Sequence, residues 1–226
     1  MIGLAFSGGK DSWACLQHYK EQLADIIVLW VNTGKNYPEA LASINLARSM
    51  CHNFIEIKVD RDSQNYINGI PSDVVPIANT VFGQTVTGKQ KITIQSYFQC
   101  CYENISAPLN AKVKELGITT LISGKRNDEG HLSSCSDGQL LDGVTHIHPI
   151  EKWSSQDVLS YLSSKMEVPE HFKLSHSSLD CYDCSAYLKD TKDILEWSKK
   201  YPELHDKKVI RINQLKAVLT ESMKDM

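Results

Sequence analysis

A short apolar run, Ile2-Gly3-Leu4-Ala5-Phe6, leads straight into Ser7-Gly8-Gly9-Lys10-Asp11-Ser12. This junction constrains the chain more than any other feature. The apolar residues read as a buried strand, the glycines as a tight turn, and the residues that follow as a helix. Such a turn lets the backbone approach an anion closely, and the helix points its unpaired N–H groups at it. Lys10 adds a positive charge, and Ser7 and Ser12 add hydroxyl donors. The spacing is not the G-x-x-x-x-G-K-[ST] of a Walker A loop, so γ-phosphate chemistry of that kind is not indicated.

The rest of the chain has room for a core around this loop. Its 226 residues suit one α/β domain with a small appendage, and 42% of them are hydrophobic. The formal net charge of −3 gives no overall basic field that would argue for nucleic acid. No apolar run reaches the roughly 18 residues of a membrane span. The sequence opens on a core strand, with no room for a secretory signal, so the expected location is the cytoplasm. In that reducing compartment the seven cysteines are expected to serve metal or redox chemistry rather than disulfides.

Further strands are expected at Ile26–Val31, Phe54–Val59, Thr119–Ser123 and His146–Ile150. Helices are expected near Asp11–Leu23, Glu39–Met50, Ala107–Leu116 and Ser155–Ser163, with Ser154 and Asp157 as a capping box. This alternation predicts an α/β fold: a doubly wound, mainly parallel sheet of about five strands with helices on both faces. Ligands of such sheets sit beyond the carboxyl ends of the strands. Asp60–Tyr97 breaks the rhythm, with one short strand at Lys91–Gln95, and reads as a lid or binding insertion. The last forty residues read as helical, with Lys199, Lys200, Lys207, Lys208, Arg211 and Lys216 on a solvated face. The expected division is a nucleotide domain over residues 1–188 and a helical extension over 189–226.

Four cysteines form a second constellation: the adjacent Cys100-Cys101 and the C-x-x-C of Cys181-Tyr182-Asp183-Cys184. Four thiolates can hold a tetrahedral zinc or a [4Fe–4S] cluster. Structural zinc sites usually pair two C-x-x-C knuckles, which a vicinal pair does not resemble. Of the other cysteines, Cys15 and Cys51 read as packing residues. Cys135, in the polar loop Ser133–Gly138, is open to two readings, a free surface thiol or a persulfide carrier. His131, His146 and His148 show no clear ligand set and read as structural.

SGGKDS resembles the PP-loop of ATP pyrophosphatases, which break the α–β bond of ATP. The paired cysteines resemble the CC…C-x-x-C pattern of iron–sulfur sulfonucleotide reductases. Other blocks fall in the same order as in the phosphoadenosine phosphosulfate (PAPS) reductase superfamily. These are Asn32-Thr33-Gly34 with Tyr37-Pro38-Glu39, Gly124-Lys125-Arg126 with Glu129, His148-Pro149-Ile150 with Trp153, Asp157, Val158 and Tyr161, and Leu179–Ser185. The resemblance runs from about Ile2 to Leu188. It implies ATP on Ser7, Gly8, Gly9, Lys10, Asp11 and Ser12, with adenosine at Asn32, Thr33 and Gly34. It also implies catalytic roles for Lys10, Asp11 and Arg126, and a [4Fe–4S] cluster on Cys100, Cys101, Cys181 and Cys184. Asp11 would hold Mg²⁺ through water or serve as a helix-dipole partner. Arg126 and Lys125 would neutralise a phosphate or sit at a solvated strand end.

Two departures bear on the subfamily. Reductases of this superfamily use a cysteine near the C-terminus, and none follows Cys184 here. They also tend to lack the loop lysine, which this sequence keeps. The combination resembles the ATP pyrophosphatase component of DNA phosphorothioation systems of the Dnd and Ssp types. That implies ATP activation of a DNA acceptor within a larger assembly and a cysteine desulfurase as sulfur donor, with a homodimer among the possible arrangements. A sulfonucleotide reductase and a tRNA-thiolating enzyme are the alternatives.

Overall fold

The computed structural model describes residues 1–129, 135–173, 181–188 and 191–224. The chain divides into two compact units. The first comprises Met1–Asn32, Pro38–Lys58 and Pro108–Ser178; the second comprises Thr33–Tyr37, Val59–Ala107 and Leu179–Met226.

The first unit is built on a sheet of six strands: β1 (Ile2–Ala5), β2 (Ile26–Asn32), β3 (Asn53–Lys58), β6 (Thr120–Ile122), β7 (Leu140–Leu141) and β8 (Val144–Ile147). β4 (Ile70–Ser72) and β5 (Ile94–Ser96) belong to the second unit. The sheet order is β3-β2-β1-β6-β8-β7, parallel throughout except for β7, which pairs antiparallel with β8 at the edge. This is the expected doubly wound α/β architecture. Side chains alternate faces along a strand, and here both faces are covered. Leu4, Val28, Trp30 and Ile122 pack in one cluster with Trp13, Leu16, Ile44, Val158 and Leu162. Leu29, Ile57 and Leu121 pack in the other with Val113 and Ile118. The helices are α1 (Lys10–His18), α2 (Pro38–Met50), α6 (Ala107–Glu115) and α7 (Ser155–Ser163). Ser154 and Asp157 form the expected reciprocal capping box at the start of α7.

Chain order fixes where this sheet opens. From β1 the chain winds outward through β2 to β3, then later returns to β6 on the other side of β1. β1 and β6 therefore flank the topological switch point, where the crevice beyond the strand ends admits a ligand. The loop after β1 is Phe6–Gly9, and the loop after β6 begins with Ser123-Gly124-Lys125-Arg126.

Within the second unit, residues 60–97 are more regular than their weak patterning suggests. They form α3 (Arg61–Asn68), β4, α4 (Val81–Thr87) and the parallel partner strand β5, where a loop with one strand was expected. Asp60 caps α3 by accepting from Ser63 N, and Thr80 caps α4 by accepting from Gly83 N. Then come α5 (Tyr97–Cys101), a π-helical turn over Tyr102–Ser106, α8 (Thr191–Ser198) and α9 (Pro202–Ser222). Leu215 and Val218 of α9 pack with Ile70 and Ile94 of the two strands. Among the described residues, no helix is long and apolar enough to cross a membrane.

Candidate functional site

The loop after β1 takes its shape from glycine. Gly8 has φ +85°, and a Cβ there would lie 2.9 Å from Ile44 Cγ1. Only a residue without a side chain fits both conditions. Trp13 Nε1 donates to Ser43 Oγ, which donates to the Gly8 carbonyl at 2.9 Å, so α2 and α1 hold the turn between them. Ser12 Oγ donates to the Gly9 carbonyl at 2.9 Å, and Ser7 Oγ donates to Ser12 Oγ at 3.3 Å. Gly9 is the N-cap of α1, and among the described residues no side chain caps that helix. Its first-turn N–H groups have no partner inside the helix.

Three charged residues meet beside this loop. Lys10 Nζ lies 2.7 Å from Asp11 Oδ2, and Arg126 Nε lies 2.7 Å from Asp11 Oδ1. Arg126 also pairs with Asp128, whose second oxygen accepts from Ser155 N at the start of α7. Arg126 is buried, which corrects the reading of a solvated strand end: its guanidinium is clamped between two carboxylates. Gly124 explains how β6 comes so near, because a Cβ on it would meet the Asp11 carbonyl carbon at 2.5 Å. Lys125 turns the other way, donating to the Cys135 carbonyl at 2.8 Å and standing 3.8 Å from Glu151. The structure thus brings Ser7, Gly8, Gly9, Lys10, Asp11, Ser12 and Arg126 together. A divalent cation on Asp11 would compete with two cations already on its oxygens.

The adenosine candidates divide between the units. Asn32 ends β2 in the first and donates to Glu56 Oε1 at 2.7 Å. Thr33 and Gly34 belong to the second, where Thr33 Oγ1 lies 3.5 Å from Cys181 Sγ.

In the second unit, the buried Arg61 gathers the thiols. Its Nη1 donates to Asp183 Oδ1 at 2.5 Å, and Cys181, Cys100 and Cys184 stand close to it. Burial alone would lower the pKa of this guanidinium, but Cys181, Asp183, Cys100 and Cys184 outweigh it and raise the value. Burial pushes the Cys100 thiol up, against Arg61 and Asn104. Asn104 Nδ2 approaches Cys100 Sγ at 3.7 Å, one turn along in the π-helical segment. Cys101 lies near Tyr97, whose hydroxyl pKa is raised by burial, Asp73 and Cys101. The C-x-x-C turn closes with Cys184 N donating to the Cys181 carbonyl, and Tyr182 N donates to the Lys35 carbonyl.

α9 corrects a second expectation. Lys208 is not on a solvated face: it is buried and donates to the Cys184 carbonyl at 2.6 Å. Arg211 reaches Asp183 Oδ2 at 3.4 Å, and Lys207 lies over the Tyr182 ring at 5.7 Å. Three basic residues within five positions of α9 therefore meet the same four-residue turn. Neither Arg61 nor these α9 residues is marked in the sequence, because the turn they serve lies far away along the chain. The donor set fits an iron–sulfur cluster: soft thiols, N–H and O–H groups near two of the sulfurs, and surrounding cations to balance thiolate charge. It does not have zinc spacing. Among the described residues, the one set of three Cys, His or acidic ligands with all donor atoms within 4.8 Å is elsewhere.

That set is Cys135, His146 and His148, in the first unit. It corrects two readings of the sequence. His146 and His148 converge with Cys135, and Cys135 is buried rather than a surface thiol. The signal was a tight hairpin between Cys135 and His148. Asp142 and Gly143 both have positive φ, as a two-residue hairpin turn requires. Cys15 is buried, and its thiol is pushed up to about 12 by burial and by Asp11, consistent with packing. Cys51 is half-buried and its thiol is also raised by burial. His131, Ser133, Ser134, Leu179 and Asp180 lie outside the described residues.

Comparison with known proteins agrees with this architecture. The profile of the phosphoadenosine phosphosulfate reductase domain matches residues 1–187. Among solved structures, the chain is similar to a phosphoadenylyl-sulfate (PAPS) reductase from Candida auris, in a phosphate complex. The identity is 12%, with 80% of each chain covered and a TM-score of 0.54. It is also matched to a predicted subunit of tRNA methyltransferase from Methanocaldococcus jannaschii, at 16% identity over 90% of each chain and a TM-score of 0.40. A search of curated proteins finds no match. With a matched profile spanning most of its length, a loop at the switch point and paired cysteines, the chain belongs to the phosphoadenosine phosphosulfate reductase domain family.

Proposed function

We propose that the chain is an iron–sulfur ATP pyrophosphatase that converts ATP to AMP and pyrophosphate to activate an acceptor for sulfur incorporation. The observation that carries this reading is the meeting of Lys10, Asp11 and Arg126 at the uncapped start of α1. A nucleotide without β- and γ-phosphates gives Lys10 little to hold, whereas a triphosphate laid along Ser7–Ser12 supplies an anion for each donor. In this reading the α1 amides and Lys10 bind the β- and γ-phosphates and leave Asp11 to Arg126. An acceptor oxygen attacks the α-phosphorus, the α–β bridging bond breaks and the acceptor is left adenylated, to release AMP when the donor sulfur or water displaces it. The electron pair departs on pyrophosphate, where Lys10 and the amides offset the charge that develops.

Cys100, Cys101, Cys181 and Cys184 are the residues that would hold a [4Fe–4S] cluster. When bound, it would supply a redox-active iron–sulfur centre. Arg61, Arg211 and Lys208 hold the turn that carries two of these ligands. The acceptor and donor follow the resemblance to the DNA phosphorothioation component: a DNA backbone within a larger assembly, and a cysteine desulfurase.

The test is product analysis on anaerobically purified protein. With ATP, AMP and pyrophosphate are expected in equal amounts, and Lys10→Ala is expected to lower the rate at least about 100-fold. Sulfite released from a sulfonucleotide in the presence of thioredoxin, with no pyrophosphate from ATP, would replace this reading with a reductase.

A further inference from the structure

His146 lies on β8 and His148 two residues on, a spacing that sets both rings on one face of an extended chain. The hairpin through β7 and β8 returns Cys135 to that face, with Gly138 N donating to the His146 carbonyl and His146 N to the Gln139 carbonyl. Cys135 Sγ lies 3.6 Å from His148 Nε2. Bonds of about 2.3 Å to sulfur and 2.05 Å to nitrogen at a tetrahedral angle put those atoms about 3.6 Å apart. The other nitrogen of His148, Nδ1, lies 2.9 Å from Ser123 Oγ, leaving Nε2 directed at the thiol. A second partner of this kind is the usual device for fixing a metal-binding imidazole. Lys125 holds the Cys135 carbonyl, and Asp137 Oδ1 accepts from His148 N at 2.7 Å.

We propose that Cys135, His146 and His148 form a zinc site with one sulfur and two nitrogen ligands, its fourth position taken by water. One thiolate and two imidazoles suit a borderline-soft divalent ion, and Mg²⁺ or Ca²⁺ would need oxygen ligands instead. Cys135 and His148 are almost fully buried, while His146 is half-buried and marks the open side. The ion would tie the Cys135 end of the hairpin to the end of β8. The site shares no ligand with the phosphate loop or with Cys100, Cys101, Cys181 and Cys184.

The experiment counts bound metal in the full chain, using Cys181→Ser to weaken the other thiol site. Stripped of metal and titrated with Co²⁺, Cys181→Ser is expected to bind one equivalent with a thiolate-to-cobalt charge-transfer band. Adding Cys135→Ser should remove the band and weaken binding at least about 100-fold, while the far-ultraviolet circular dichroism is unchanged. His146→Asn is a second variant, expected to keep the band but to weaken binding. X-ray absorption of the zinc-loaded Cys181→Ser protein should show one sulfur at about 2.3 Å and nitrogen neighbours at about 2.0 Å. A folded Cys181→Ser protein that binds no cobalt, or binds it equally well with Cys135→Ser added, would overturn the proposal, as would a sulfur-only shell.

Discussion

At Gly8 two requirements coincide, and either alone would exclude a side chain. The backbone is left-handed, and the space where a Cβ would stand belongs to Ile44. Gly8→Ala is therefore expected to cost about 1–3 kcal/mol of stability, read from denaturant melts, because Ile44 has to move and the turn is strained. A variant as stable as wild type would mean that the turn can relax. Gly8 was legible from the sequence because strand, glycines and lysine are contiguous. Arg61 was not. Its partner Asp183 lies 122 positions away, and an arginine at the start of a helix carries no mark of the thiols it meets. Lys208 was misread for a related reason, since a lysine in a basic helix looks solvated until its carbonyl partner is known.

At the scale of elements, the central strands were the most legible, because β-branched runs covered on both faces admit few other structures. β2 is one residue longer than expected and ends at Asn32, which reaches across to Glu56 on the neighbouring strand β3. The Asn32 hydrogen bond holds the Glu56 carboxyl below its usual range, against some burial and with help from Arg48. A depressed carboxylate adds stability that is present above its unfolded pKa and lost as pH falls through the folded one. Glu56→Gln is thus expected to be less stable than wild type at pH 7, with the gap closing towards about pH 3. Melts at the two pH values check this; an equal gap at both would show that shape rather than charge is what Glu56 contributes. The elements of residues 60–97 were less legible. α3 and α4 are only eight and seven residues long, and β4 and β5 three each, too short for periodicity to stand out.

At the scale of the molecule, the order of motifs along the chain carried the family, and the fold follows from where β1 sits in its sheet. Any chain that winds outward from a central β1 and restarts beside it leaves its first loop at the switch point. The hairpin that gathers Cys135, His146 and His148 hangs on the same sheet, at its opposite edge from β3. Its ligands were individually visible in the sequence, but their meeting depends on a turn between them. The central claim is that Lys10 and the amides of α1 hold the β- and γ-phosphates of ATP. Calorimetric binding of ATP and of AMP to wild type and Lys10→Ala tests it most directly. The expected result is ATP affinity lower by about 10- to 100-fold in the variant, the loss of one charged hydrogen bond, with AMP affinity unchanged. Equal ATP affinity in the two proteins would contradict the claim.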